Sequence, residues 1–166
     1  MSAVSGTGQR YVQLAATGAA AILLVQAAHM VEHVAQVTQK FILHMPAAHG
    51  VLGSIFDLEW VHFVYNTVLY TALVAVYIWH RRAASGPLFF ALRAGMLLQG
   101  YHVVEHIVKM YQYYALGITV GPKGILGFVV PLIWLHFFLN LFVLILIVGI
   151  YRGTRQANLQ PARATA

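Results

Sequence analysis

The chain has 166 residues, of which 60% are hydrophobic and 8% are charged, and its formal net charge is +6 at pH 7. A soluble domain carries roughly a quarter charged residues, so the composition excludes an ordinary soluble protein and indicates an integral membrane protein. The chain contains no cysteine, which excludes disulfides, thiolate metal sites and iron–sulfur clusters.

Four apolar segments predict four transmembrane helices, because each exceeds the roughly 20 residues that cross a bilayer core. The first segment begins like a secretory signal peptide, but its apolar run is too long for one. The fold predicted is therefore all-α, a single membrane domain of residues 1–166 built as a four-helix bundle. The predicted helices are 11–39, 59–80, 88–114 and 125–152.

The basic residues predict the orientation of the helices, since cytoplasmic loops of membrane proteins are enriched in lysine and arginine. Arginines precede the first helix, separate the second from the third, and follow the fourth. The N- and C-termini are therefore predicted to be cytoplasmic, with the protein in the plasma membrane. The charge is explained by topology and gives no reason to expect nucleic acid as a partner. The arginines are Arg10, Arg81, Arg82, Arg152, Arg155 and Arg163.

The two halves of the chain contain the same polar pattern. HMVEH at 29–33 recurs as HVVEH at 102–106, at an offset of 73 residues. Segments 49–66 and 123–140 align without gaps, and eight of their 18 positions are identical. The remainder of the two halves hardly matches, so the likeness is concentrated where the polar groups lie.

This pattern predicts two tandem two-helix repeats, 11–80 and 88–152. Both repeats enter the membrane with the same polarity, which implies a pseudo-twofold axis along the membrane normal. The tail, 153–166, is predicted to be a disordered cytoplasmic segment.

Each repeat places two histidines one turn apart on one helix face, with a glutamate on its flank. Charged groups inside a bilayer cost several kcal/mol and normally face the bundle interior. The second helix of each repeat adds a histidine at a similar depth, in the outer half of the membrane. Imidazole with carboxylate suits transition metals, and a shared cation would compensate the glutamates. The predicted ligands are His29, Glu32, His33, His62, His102, Glu105, His106 and His136.

The remaining polar residues of the repeats receive supporting roles. Glu32 and Glu105 are the predicted catalytic groups, bridging two metals or transferring protons. Two identical ligand sets predict either one dinuclear centre or two mononuclear centres. Amide side chains near the rings are predicted to orient the imidazoles by hydrogen bonds. These are Gln26, Asn66, Gln99 and Asn140.

Some residues near the clusters are interpreted without a metal. Glu59 is predicted only to favour the start of the second helix, where an anion suits the helix dipole, and Ile133 stands at the equivalent position. Gly50 and Gly124 are predicted to shape the turn into the second helix of each repeat.

The repeated clusters resemble the sites of histidine-rich membrane di-iron oxygenases and desaturases, which also use histidines on transmembrane helices, sometimes with an asparagine nearby. The resemblance implies oxygen-dependent oxidation of a lipophilic substrate. We expect two metal ions, iron first and copper or zinc next. Membrane lipid is the expected surrounding, and an electron-donor protein or a second copy of the chain is a candidate partner.

Three alternatives stay open from the sequence. The chain could bind or transport copper or a divalent ion, although the inner parts of the second and fourth helices are almost wholly apolar. It could carry electrons on a b-type haem held by paired histidines, although haem does not explain the glutamates. Finally, the clusters could be a hydrogen-bonded seam that binds no metal.

Overall fold

A computed structural model describes residues 6–53, 58–80 and 85–163, with side chains described for 13–53, 59–80 and 85–156. The described residues form four long helices and no strand. The all-helical prediction is therefore confirmed for this part of the chain. The helices are α1 (Gly6–Val37), α2 (Leu58–His80), α3 (Gly86–Tyr114) and α4 (Leu132–Arg163).

Three helical segments are long and apolar enough to cross a membrane, namely Gln13–Ile42, Glu59–His80 and Leu132–Gln156. This finding supports the predicted membrane location. Helix α3 has 29 residues, which is long enough for a span, but it is not among these three segments. A fourth span therefore stays a prediction.

The fourth helix differs from its prediction at both ends. It begins at Leu132 rather than at residue 125, after a short 3₁₀ turn at Leu126–Phe128. Pro131 immediately precedes the helix, and proline suits this place because it has no N–H to donate. At the other end, α4 continues to Arg163, where the sequence predicted disorder.

The bundle is layered along its length. Helix α1 packs mainly against α4, α2 against α3, and α3 against α4. The loops at 43–53 and 115–131 lie at one end of the bundle, which we call the loop end. The layer farthest from the loop end is an apolar core. The core residues are Ala19, Leu69, Leu73, Ala91, Leu92, Val143, Ile147 and Ile150.

A layer of buried amides lies between the apolar core and the histidines. Gln26 on α1 donates from Nε2 to Oδ1 of Asn140 on α4, at 3.1 Å. Gln99 on α3 donates in the same way to Oδ1 of Asn66 on α2, at 2.8 Å. All four side chains are fully buried. These bonds join helices of different repeats, so the two halves are linked directly beneath the histidines.

The glutamates of HMVEH and HVVEH hold the loops. The Glu32 carboxylate accepts hydrogen bonds from the backbone N–H of Val51, at 2.9 Å, and of Leu52, at 3.1 Å. The Glu105 carboxylate accepts from the N–H of Ile125, at 2.6 Å. Leu126 donates to the same carboxylate at 2.8 Å.

A glutamine and a glycine complete each loop attachment. The Gly50 N–H donates to Oε1 of Gln39 at 2.8 Å, and the Gly50 carbonyl accepts from Nε2 of the same side chain at 2.9 Å. In the second repeat, the Gly124 N–H donates to Oε1 of Gln112 at 2.9 Å, and the Gly124 carbonyl accepts from Nε2 of Gln112 at 3.0 Å. Gly50 and Gly124 have φ of +77° and +69°, and a Cβ at either position would overlap the adjacent glutamate carboxylate. Both positions therefore require glycine.

We expect Gly124→Ala to destabilise the protein more than Gly117→Ala. Both glycines have a similar positive φ, and no atom lies within 4 Å of a Cβ at Gly117. The backbone strain of about 1–2 kcal/mol applies to both variants. Gly124→Ala alone also displaces the Glu105 carboxylate from its N–H donors, which costs a further ~1–3 kcal/mol. Thermal unfolding in detergent measures the difference, and equal losses would contradict the loop attachment.

Candidate metal centre

The histidines of the two repeats form two triads. In each triad, one helix supplies two histidines a turn apart and the following helix supplies the third. The ligand atoms within a triad all lie within 4.8 Å of one another, so each triad is arranged to hold a metal ion. The first triad is His29, His33 and His62, and the second is His102, His106 and His136.

The nitrogens of each one-turn pair converge at a distance that suits a shared metal. His29 Nε2 and His33 Nε2 are 3.1 Å apart. His102 Nε2 and His106 Nε2 are 3.3 Å apart. Two imidazole ligands of one tetrahedral ion, each about 2.0–2.1 Å from it, would stand roughly 3.3 Å apart.

The two triads touch and form one layer, which we call the histidine cluster. His62 and His106 stack across the triads with ring centroids 5.7 Å apart and an interplanar angle of 10°. His33 and His136 also face each other, with centroids 6.2 Å apart. Five of the six rings are buried, and His29 is half-buried. Two metal sites in this cluster would therefore be neighbours.

The second triad contains buried nitrogens that no hydrogen bond satisfies. Among the described residues, Nδ1 of His102 and Nε2 of His136 are buried and have no hydrogen-bond partner. Leaving a buried polar atom unsatisfied costs about 1–3 kcal/mol, and most buried polar atoms in proteins are paired. A purely hydrogen-bonded seam would leave these atoms unexplained. A metal ion at His136 Nε2 accounts for one of them.

Amide side chains orient the first triad. Nδ1 of His33 lies 3.0 Å from Oε1 of Gln36, so the proton belongs on Nδ1 and the lone pair on Nε2. Nδ2 of Asn140 lies 2.9 Å from that Nε2, so a metal there would compete with Asn140. The Gln26 amide accepts a hydrogen bond from the Tyr65 hydroxyl at 2.6 Å.

Tyr65 is a contact that the sequence analysis missed. Its ring stacks on His29 with centroids 4.0 Å apart, which fixes the plane of that imidazole. Leu139 stands at the equivalent position of the second repeat. Because Tyr65 lies outside the shared pattern, comparison of the two repeats could not identify it.

The two glutamates predicted as ligands lie outside both triads. The groups that could hold a metal in the described part of the chain consist of histidines, and the carboxylates of Glu32 and Glu105 accept the loop hydrogen bonds described above. Both triads therefore consist of histidines alone. The glutamates anchor the loops in this structure, and their roles as metal ligands and catalytic groups stay predictions.

A buried ion pair beside the cluster was also missed. Lys109 forms an ion pair with Glu59, and its side chain is only 5% exposed. Glu59 Oε2 lies 3.7 Å from Nδ1 of His106. Gln36 and Ile133 occupy the equivalent positions of the other repeat. Both positions are mismatches at which the matched segments differ in charge, but a third such position, Asp57 against Pro131, shows that the mismatches alone do not identify the pair.

A cavity of about 130 Å³ opens on the loop-end side of the cluster. Two histidines of each triad line it. The residues at the two mismatched pairs of positions, 36/109 and 59/133, line it as well. The cavity therefore gives a small molecule access to both triads. Its polar lining residues are His33, His62, His106, His136, Gln36, Glu59 and Lys109.

Compared with known proteins, the chain matches no protein family, no curated protein sequence and no solved structure. The function must therefore be inferred from the residues of the site.

We expect Glu32→Gln and Glu105→Gln to keep the metal content of the protein while lowering its melting temperature. The amide replaces one acceptor oxygen by a donor, which opposes a backbone N–H at the loop and costs about 1–3 kcal/mol. Gln39→Leu, which removes only the neighbouring loop attachment, is the matched control. Elemental analysis and thermal unfolding check both quantities. Metal loss in the glutamate variants, but not in Gln39→Leu, would show that the carboxylates are metal ligands.

Proposed function

We propose that the protein is an integral membrane metalloprotein that binds two metal ions in its histidine cluster and oxidises a lipophilic substrate with oxygen. The pair of adjoining triads carries this proposal, because each offers three imidazole nitrogens within 4.8 Å of one another. Three protein ligands leave a coordination position open, which is typical of catalytic rather than structural metal sites. The bound metals would supply the redox chemistry with oxygen.

The proposed topology has four spans in two tandem repeats, related by a pseudo-twofold axis along the membrane normal. Corresponding hydrogen bonds support it, since Gln26 pairs with Asn140 as Gln99 pairs with Asn66. Both termini are proposed to be cytoplasmic and the membrane to be the plasma membrane. Arg152 lies in the half of α4 that is remote from the loop end. The positive-inside rule therefore favours the outer half of the membrane as the location of the cluster.

We propose copper rather than the iron expected from the sequence. Mixed histidine and carboxylate ligands are typical of non-haem iron. Glu32 and Glu105 instead bond the loops. Three imidazoles without a carboxylate suit copper or zinc, and of these only copper is redox active. Zinc would make the protein a binding or hydrolytic protein instead.

Binding or transport of a metal ion is the second candidate. A transport path requires polar groups on both sides of the cluster, because ions are costly in apolar surroundings. Beyond the amide layer, however, the described helices meet in the apolar core, where Leu73, Val143 and Ile147 are at most 2% exposed. This closure favours a reaction at the cluster over passage through it.

A b-type haem carrier has less support. Axial histidines approach haem iron from opposite faces of the porphyrin with their nitrogens pointing at the metal. Several of the described ring pairs instead stack directly, such as His106 and His136, whose centroids are 5.1 Å apart at 13°. A porphyrin does not fit between the rings of such a pair.

Elemental analysis of the detergent-purified protein tests the proposal. We expect two copper ions per chain and no haem Soret band. His33→Ala and His106→Ala should each remove about one ion, because each truncates one triad. His49→Ala is the matched control, since His49 is an exposed loop residue. If one cluster variant loses all metal and the other none, two adjoining triads do not describe the site.

Oxygen uptake then separates the candidates. Copper-loaded protein supplied with a lipophilic hydroquinone should consume oxygen, and His33→Ala and His106→Ala should abolish the uptake while His49→Ala retains it. Electrons for the reaction come from the hydroquinone here, and from the substrate or a partner protein in the membrane. Full copper content with no oxygen uptake would favour the binding or transport role.

A further inference from the structure

The cavity beside the cluster has room for a second ligand of the site. We propose that it takes a small anion, held between a metal bound in the cluster and the ammonium group of Lys109. This inference rests on the metal site proposed above, and it concerns the second ligand of that site. The anion is of the hydroxide, halide or azide class.

The charge of the site calls for an anion. Neutral imidazoles do not offset the charge of a bound metal ion, and Glu32 and Glu105 direct their oxygens at loop N–H groups. Glu59 is the carboxylate that lines the cavity, and its charge is offset by Lys109. Uncompensated charge away from water is costly. An exogenous anion at the open coordination positions would reduce that cost.

Lys109 is positioned to bind such an anion. Its side chain is 5% exposed and lines the same cavity as His106 and His136. An ammonium group carries three N–H donors, and the bond to Glu59 uses one of them. His136 lines the cavity as well, and its Nε2 is buried with no hydrogen-bond partner among the described residues. The cavity therefore has a metal-binding face and a cationic face.

The cavity is large enough for a small anion. Its volume of about 130 Å³ exceeds the roughly 30 Å³ that one water molecule occupies in the liquid. An ion of three or four heavy atoms therefore fits there.

The repeats predict which triad dominates the anion site. Lys109 and Glu59 are replaced by Gln36 and Ile133 at the equivalent positions. The cationic face therefore exists on one side of the cavity only, where Glu59 Oε2 stands 3.7 Å from His106 Nδ1. The anion should lie nearer the second triad, which makes the two metal positions chemically different.

Azide is the probe that tests the proposal. On copper-loaded protein, azide should produce a saturable charge-transfer absorption band. Lys109→Gln introduces the residue found at position 36 and should weaken azide binding about 10- to 100-fold, because a charge-assisted hydrogen bond is lost. Lys123→Gln removes an exposed lysine that lies over the Phe128 ring and should leave the affinity unchanged.

Glu59→Gln provides the opposing variant. It removes the carboxylate that competes for Lys109, so azide should bind more tightly than to the wild-type protein. A merely structural role of the ion pair predicts that both variants weaken binding alike, and that result would overturn the proposal. Full copper content with no azide band would also overturn it while leaving the metal site intact. A protein that takes up no metal would overturn the metal site and the anion site together.

Discussion

The packing of six imidazoles, five of them buried, into one layer of an apolar bundle is the constraint on which the rest of the structure depends. Polar side chains buried away from water must find partners, since each unsatisfied group costs about 1–3 kcal/mol. The amide layer below the rings and the loop attachments above them are the surrounding polar contacts. Nδ1 of His102 and Nε2 of His136 are buried and still lack a hydrogen-bond partner among the described residues. The metal proposed for the cluster would supply a partner for converging imidazole nitrogens.

The same helix turns hold the loops and carry histidines of the cluster. Glu32 and His33 are adjacent in sequence, so the same turn of α1 sends a carboxylate to the loop and an imidazole to the cluster. Glu105 and His106 do the same in α3. Each loop thereby fixes the rotation of the helix that carries two histidines. Site geometry consequently depends on glycine backbone conformations at Gly50 and Gly124, which lie outside the cluster.

The sequence was sufficient to predict the helices and the histidines of the cluster. Hydrophobic runs indicate helices directly. The recurrence of HMVEH as HVVEH at an offset of 73 residues identifies both histidine pairs. The role of the glutamates could not be predicted, because a carboxylate beside two histidines has the same pattern whether it binds a metal or a backbone N–H. Only the positions of Val51 and Ile125 distinguish these roles.

Contacts between helices that occur in one repeat but not in the other could not be predicted from the sequence either. The ion pair of Lys109 with Glu59 joins α3 to α2, and no local pattern connects two residues 50 positions apart. The start of α4 at Leu132 was missed for a related reason. Segment 125–131 is apolar, so its composition suits a helix, but the Glu105 carboxylate binds the N–H groups of Ile125 and Leu126 and holds the segment as a loop.

X-ray absorption spectroscopy of the copper-loaded protein tests the central claim most directly, because it reports the atoms bound to the metal. The account predicts about three imidazole nitrogens per ion at roughly 2.0 Å, with the multiple-scattering signature of the rings. Glu32→Gln should leave that spectrum unchanged. A shell dominated by carboxylate or water oxygens, without imidazole scattering, would contradict the assignment of the histidine cluster as a metal centre.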